Sequence, residues 1–131
     1  MSSEFTVHSS KTEGPIVIAM AWQFELADGR QGAFEQFYGA DGPWTALSRQ
    51  SRSYLGSSFL RDQVQPTRYL LVEYWSEMVV YEKHHADFSD ELASLEAKRN
   101  KLCLSVTPLG VFTALDIPSR SGPTWSRRDG I

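Results

Sequence analysis

The chain has 131 residues, of which 41% are hydrophobic and 22% charged, and its formal net charge is −3 at pH 7. This length and composition predict one globular domain with a single core. No basic stripe is available to attract phosphates, so nucleic acid is not expected as a partner. No apolar run approaches the ~20 residues that a membrane-spanning helix needs, and the N-terminus has no charged-then-apolar secretion pattern. These exclusions favour a cytoplasmic protein without a membrane partner.

Both ends of the chain have a composition typical of flexible segments. Residues 1–14 are rich in Ser, Thr and Glu, and residues 118–131 are rich in Pro, Gly, Ser and Arg. Such segments cannot bury enough apolar surface to offset the entropy that is lost on ordering. The sequence therefore predicts a flexible N-terminal segment over 1–14, a folded domain over 15–117 and a C-terminal tail over 118–131.

The first predicted strand covers residues 15–26 and carries apolar side chains on both faces over its first half. The residues of one face are Ile16, Ile18, Met20, Trp22 and Phe24, and those of the other are Val17, Ala19, Ala21, Gln23 and Glu25. A strand that is apolar on both faces is expected to be covered on both sides.

Two short helices are predicted after this strand. Residues 30–39 place Phe34, Phe37 and Tyr38 at i, i+3 and i+4, which is one face of a helix. Residues 41–51 begin with Pro43, which suits the first position of a helix because that N–H has no partner there. Strands are then predicted over 53–62 and 68–76, and their short connector makes them an antiparallel hairpin.

The segment 77–103 is predicted to be helical, with a break near residues 87–89. Its apolar stripe consists of Phe88, Leu92, Leu95 and Leu102. The charged side chains of this segment, including Glu96 and Arg99, are expected to form the solvated face. The last strand is predicted over 104–116, where Pro108 and Gly110 should interrupt the pairing with a bulge or an edge.

The order strand, helix, strand, strand, helix, strand is that of the ferredoxin-like split βαβ plan, an α+β fold. Helices cover one face of a four-stranded antiparallel sheet in this plan and leave the other face open. Because the strands are apolar on both faces, a lone domain would expose a large apolar area. We therefore expect a homodimer that forms through the open sheet face.

Several stretches of the chain resemble the antibiotic biosynthesis monooxygenase domain of the dimeric α+β barrel superfamily. They are the opening strand, "AFEQFYG", the "GPW" turn, "YLGSSFL", "RYLLVEYWS", "YEKHH" and "LGVF", which together span roughly residues 16–115. The resemblance implies a small homodimer with a ligand cavity between the sheet and the helices. It also implies an activity, since some members oxidise aromatic polycyclic or quinol substrates with O₂ and no cofactor, and another branch degrades heme.

Heme degradation ranks last among these activities. The heme-degrading branch uses an Asn, a Trp and a His, whose positions fall near Ala21 or Trp22, at His84 and near Ser94 in this sequence. None of the three residue types is present at its position. The sequence therefore departs from that branch.

A metal site is not expected at the adjacent residues His84 and His85. Neighbouring helical residues point about 100° apart, so the two side chains cannot both hold one ion. The single cysteine, Cys103, is interpreted as a packing residue because no base neighbours it in the sequence. No metal and no other cofactor is therefore predicted.

A histidine is the natural base for a reaction of O₂ with an electron-rich aromatic, because its pKa lies near neutrality. The family pattern often has a histidine about nine residues after the strand-three Trp75, which favours His84. Helical periodicity instead puts His85 on the apolar stripe with Met78, Tyr81 and Phe88, and leaves His84 on its flank. Both histidines remain candidates, and the alternative for each is a packed residue.

An aromatic-rich interior is the expected substrate pocket for a small aromatic ligand. Its predicted lining is Trp22, Phe37, Tyr38, Trp44, Trp75, Tyr81 and Phe88. The same rings would suit a plain core. The alternative function is accordingly a non-catalytic dimeric module of the same fold that binds a small ligand.

Overall fold

The computed structural model describes residues 17–115 and contains four strands and four helices in this range. The elements are β1 (Ile18–Leu26), α1 (Gln31–Tyr38), α2 (Pro43–Ser48), β2 (Tyr54–Arg61), β3 (Arg68–Trp75), α3 (Met78–Asp87), α4 (Ser89–Asn100) and β4 (Cys103–Thr113). The predicted order of strands and helices is confirmed. The predicted flexible segments 1–14 and 118–131 lie outside the described residues.

The strands form one antiparallel sheet in the order β2-β3-β1-β4. The core side chains come from one face of this sheet and from all four helices, so the helices cover that face. This is the predicted ferredoxin-like α+β fold. We call the face that the helices cover the helix face and the opposite one the open face.

Alternation along β1 and β3 assigns their side chains to the two faces. Met20, Trp22 and Phe24 lie on the helix face and are buried. They pair with Glu73, Leu71 and Tyr69 of β3, and all three of these are buried too. The open face carries Ala19, Ala21, Leu70, Val72 and Tyr74 from the same two strands, together with the half-exposed Leu60 and Phe112 from the sheet edges.

A β-bulge interrupts β2 near its start. Tyr54 pairs with Trp75 and Gly56 pairs with Tyr74, so Leu55 is the extra residue. Gly56 has a φ of 124°, a conformation that glycine tolerates and other residues rarely adopt. The extra residue puts Tyr54 and Ser57 on the same face of the sheet, although they are three positions apart.

The predicted interruption of the last strand is confirmed. Ala21 pairs with Gly110 and Trp22 pairs with Pro108, so Leu109 is extra in β4. Pro108 lacks an N–H for the ladder, and β4 is an edge strand, where a proline is tolerated.

The predicted break of the long helix is also confirmed, whereas its predicted end is wrong. α3 and α4 meet at Phe88, whose φ of −111° and ψ of 29° are not helical. α4 ends at Asn100, and Cys103 is already the first residue of β4. Leu92 is buried as predicted, but Glu96 and Arg99 are buried as well and do not belong to a solvated face.

Candidate functional site

Trp75 lies on the helix face, at the centre of a group of aromatic and histidine side chains. Its side chain is fully buried at the end of β3. Its ring centroid lies 5.1 Å from that of Tyr81 and 5.5 Å from that of His84, both on α3. On the β2 side the Tyr54 ring lies 5.4 Å away. The fold thus brings Trp75, Tyr81 and His84 together.

His84 is the buried member of the histidine pair, with 6% of its surface exposed. Its ring packs between Trp75 and Phe88, whose ring centroid is 4.8 Å away. Within residues 17–115 its Nε2 atom is buried and has no hydrogen-bond partner. The prediction from periodicity that His84 lies on the flank of the apolar stripe is wrong, because α3 is rotated so that Tyr81 and His84 face the core.

Burial lowers the pKa of His84 below its ordinary value of 6.5. The neighbouring His85 lowers this pKa further, and Asp87 acts in the opposite direction. The imidazole is therefore neutral at pH 7 and can accept a proton. A neutral imidazole can accept a proton at its unprotonated nitrogen, so this side chain is suited to act as a general base.

His85 is half-buried and stacks on Tyr81, with 4.1 Å between the ring centroids. Its centroid lies 6.5 Å from that of Trp75. His85 therefore belongs to the same group but is nearer to its surface. The two rings are 5.9 Å apart and inclined by 63°, so they are not arranged as a pair of ligands to one ion.

The remaining predicted pocket residues form a second aromatic group, under α1 and α2. Tyr38 contacts Phe37 at 4.8 Å and Trp44 at 5.6 Å between ring centroids. Trp22 is buried in the same core, opposite Leu71. These side chains pack tightly against one another, so much of the predicted pocket lining is core.

The carboxyl group of Glu73 joins the two aromatic groups. Trp44 Nε1 donates to Glu73 Oε2 over 2.5 Å, and Trp75 Nε1 donates to Glu73 Oε1 over 3.2 Å. Only 1% of Glu73 is exposed. Sequence reasoning missed this residue, although strand alternation places it on the same face as Leu71 and Trp75. The alternation of side chains along β3 was the sequence signal that could have identified Glu73 as a residue of the helix face.

A second buried polar contact ties α4 to α1. Arg99, which is 3% exposed, donates from Nη1 to the hydroxyl of Tyr38 over 3.2 Å. Burial raises the pKa of Tyr38, and the charge of Arg99 opposes this rise without cancelling it. Tyr38 is therefore protonated at neutral pH and is not a base.

Neither a reactive cysteine nor a cluster of metal ligands is found among residues 17–115. Burial raises the pKa of the Cys103 thiol to about 11, so the thiolate that a nucleophile requires is scarce at neutral pH. Across residues 17–115, no three His, Cys, Asp or Glu side chains are grouped so that they could hold a metal ion. No helix of that range is long and apolar enough to cross a membrane.

A cavity of about 300 Å³ opens between the α1–α2 segment and β2. Its lining is Tyr38, Gly39, Ala40, Thr45, Arg49, Tyr54, Gly56, Ser57 and Phe59. Of the predicted pocket residues, only Tyr38 belongs to this lining, and neither His84 nor His85 does. The bulge in β2, which the sequence reading did not identify, places Tyr54 and Ser57 there.

The four-stranded antiparallel sheet with helices on one face defines a ferredoxin-like α+β protein. No family model matches the chain, and no curated protein matches it. Solved structures do match, and the resemblance that the sequence indicated is confirmed by them at the level of the fold.

Three of these structures are named as oxygenases. SnoaB, a cofactor-independent oxygenase from Streptomyces nogalater, superposes with a TM-score of 0.64 at 15% identity, over 78% of this chain and 96% of its own. A protein from Nitrosomonas europaea named as an antibiotic biosynthesis monooxygenase has a TM-score of 0.61 at 10% identity, over 80% and 96% of the two chains. Another from Bordetella bronchiseptica, with the same name, has a TM-score of 0.54 at 18% identity, over 78% and 98%.

Proposed function

We propose that this protein is a cofactor-independent monooxygenase that acts on a small electron-rich aromatic substrate of the quinol type, with His84 as its base. The observation that carries this assignment is the buried, neutral imidazole of His84, whose Nε2 has no hydrogen-bond partner in the described chain. Its ring packs against the indole of Trp75 on one side and against the ring of Phe88 on the other. His85 is the second candidate for the base.

The reaction can be balanced without a cofactor. His84 Nε2 removes a proton from the hydroxyl of a hydroquinone, and the resulting electron-rich anion reacts with O₂ at a ring carbon. One oxygen atom replaces the hydrogen of that carbon, the product is a hydroxyquinone, and the other oxygen leaves as water. The substrate supplies all four electrons. A dry apolar surrounding favours this chemistry because it excludes competing reactions with water.

The substrate must reach an atom that is buried in the present arrangement. Phe88 covers His84 at the junction of α3 and α4, and its own side chain is only half-buried. We propose that the substrate ring takes the place of the Phe88 ring against His84. The non-helical backbone at Phe88 makes this residue the natural point for such a displacement.

The solved structures with this fold support the assignment from a different direction. One of them is named as a cofactor-independent oxygenase and two as antibiotic biosynthesis monooxygenases. A catalyst that needs no metal or flavin requires only a base, a stacking surface and a dry pocket from its protein. His84 offers the base, the place of the Phe88 ring offers the surface for the substrate ring, and the buried Trp75 excludes water from the other side of the imidazole.

The test is O₂ consumption with a panel of benzo- and naphthohydroquinones, corrected for autoxidation with heat-denatured protein. We expect a rate above this background for wild type, and its loss in His84→Gln with smaller loss in the matched variant His85→Gln. Equal rates in all three proteins would remove both histidines from the mechanism. Binding without O₂ consumption by wild type would instead favour the non-catalytic binding module.

We further propose that two copies pair through the open face. Leu60 is 51% exposed and Phe112 is 52% exposed at the two edges of this face, and Leu70, Val72 and Tyr74 are half-buried between them. Pairing sheet on sheet would remove this apolar surface from water. Analytical ultracentrifugation at micromolar protein is expected to give the mass of a dimer, and a monomer would contradict the proposal.

A further inference from the structure

The cavity beside β2 is separated from His84 by the ring of Trp75. Tyr54 lines the cavity, and its ring centroid lies 5.4 Å from that of Trp75. The ring centroid of His84 lies 5.5 Å from that of Trp75. At about 300 Å³ the cavity is at the lower end of the range for small-ligand sites. It can therefore take a small molecule that does not touch His84.

The interior of this cavity is aromatic. Tyr38, Tyr54 and Phe59 contribute their rings, and the bulge at Leu55 and Gly56 is the reason that Tyr54 faces inward with Ser57. The hydroxyls of Tyr54 and Ser57 already bond each other over 2.5 Å. Thr45 likewise donates its hydroxyl to the backbone oxygen of Tyr38 over 3.3 Å. With these polar groups paired, the interior favours a flat apolar ring.

Arg49 supplies the positive charge at this cavity. It follows the last residue of α2, is exposed, and lines the cavity, and it makes no ion pair or side-chain hydrogen bond within residues 17–115. Its charge acts on Tyr54. Burial and the charge of Glu73 raise the pKa of Tyr54, and the charge of Arg49 lowers it. A guanidinium without a partner is suited to a carboxylate, which it can bind through two parallel hydrogen bonds.

Glu73 favours one orientation of a negatively charged ligand in the cavity. Burial raises the pKa of both Tyr38 and Tyr54, and the charge of the buried Glu73 raises both pKa values further. An anionic group deep in the cavity would be repelled by Glu73 and would lose its hydration. An anionic group at the Arg49 end would be attracted and would remain in water.

We propose that the cavity between α2 and β2 binds a small planar aromatic carboxylate, with its ring against Tyr54 and Phe59 and its carboxylate on Arg49. This site stands independently of the proposed oxygenase activity, because it uses neither histidine. Its occupant contacts Tyr54, which in turn contacts Trp75, so binding should also be visible in tryptophan fluorescence.

The experiment is calorimetric titration of the full chain with 2-naphthoate and with 2-naphthamide, a neutral probe of nearly the same shape. We expect 2-naphthoate to bind at least about tenfold more tightly than 2-naphthamide, the ratio that one charge-assisted contact at Arg49 provides. The variant Arg49→Gln should lose this preference. The variant Arg52→Gln is the matched control, since Arg52 is also exposed but is not part of the cavity lining.

Three results would overturn the proposal: no binding of 2-naphthoate at millimolar concentration, equal affinity for the two probes, or equal losses in Arg49→Gln and Arg52→Gln. Circular dichroism shows whether each variant is folded, and both substituted residues are on the surface. The variant His84→Gln separates the two proposals, because it should lose O₂ consumption and keep the preference for 2-naphthoate.

Discussion

The indole of Trp44 donates its N–H to the carboxyl group of Glu73 across 29 positions of the sequence, and Trp75 donates to the other oxygen of the same group. The two oxygens are therefore both acceptors. A carboxylate provides two acceptor oxygens, whereas a carboxamide provides one acceptor and one donor. This arrangement links α2 to β3 and fixes the orientation of the Trp75 ring that faces His84.

Replacement of Glu73 by Gln should destabilise the fold. The NH₂ group of Gln would face one of the two indole N–H groups, and a buried donor without an acceptor costs about 1–3 kcal/mol. Urea unfolding followed by circular dichroism measures this loss. The control is Glu77→Gln, since Glu77 is exposed at the start of α3 and its side chain caps no backbone N–H. Equal stability of the two variants would contradict the importance of the Glu73 bridge.

The lowered pKa of His84 predicts how stability depends on pH. Below pH 6.5 the unfolded chain binds a proton on this imidazole while the folded chain still resists it. The contribution is therefore fully present above pH 6.5 and is lost as the pH falls towards the lower folded pKa. Urea unfolding between about pH 5 and 8 should show stability declining on the acidic side.

The same measurement on two variants assigns this decline. In His84→Gln the contribution of the imidazole is gone, so the stability curve should be flatter over this window. In His85→Gln only the smaller electrostatic contribution to the His84 pKa is removed, and part of the decline should remain. An unchanged slope in His84→Gln would show that another group titrates.

Two glycines on the α1–α2 side should respond in opposite directions to Ala substitution. A Cβ on Gly42 would clash with the backbone oxygens of Gln36 and Phe37, so Gly42→Ala should cost ~1–3 kcal/mol as overpacking does. Gly32 lies in α1 with nothing within 4 Å of its Cβ position, so Gly32→Ala should stabilise by ~0.5–1 kcal/mol. Thermal unfolding compares them, and a destabilised Gly32→Ala would contradict the assigned helix.

A charge on the open face should separate the proposed dimer. Phe112 is half-exposed on β4, and Phe112→Glu would put a carboxylate into the apolar surface between two sheets, where it loses its hydration. Sedimentation is expected to shift from dimer to monomer. Val79 is 65% exposed on α3, in the helical layer, so Val79→Glu is the control and should remain dimeric. Two dimeric variants would place the interface elsewhere.

Much of the fold could be predicted because local patterns determine it. Alternation along β1 and β3 grouped Met20 with Trp22, and Leu71 with Trp75, on shared faces but left open which face the helices cover, and the break of the long helix fell where predicted. The end of α4 could not be placed, because Leu102 and Cys103 are apolar enough to continue a helix. β4 begins at Cys103 because this segment pairs with β1, and that pairing is a contact between distant parts of the chain.

The sequence by itself determined the order of strands and helices, the two apolar faces of the sheet, and the presence of Trp75 and two histidines near its core. Only the tertiary structure decided that His84 is the deeper histidine, because the rotation of α3 about its axis depends on its packing against Trp75. Likewise, the burial of Glu73 and Arg99 depends on partners from other elements, Trp44 and Tyr38. Local periodicity reports which residue types are apolar, and a buried charged group becomes tolerable only when distant residues supply its hydrogen bonds.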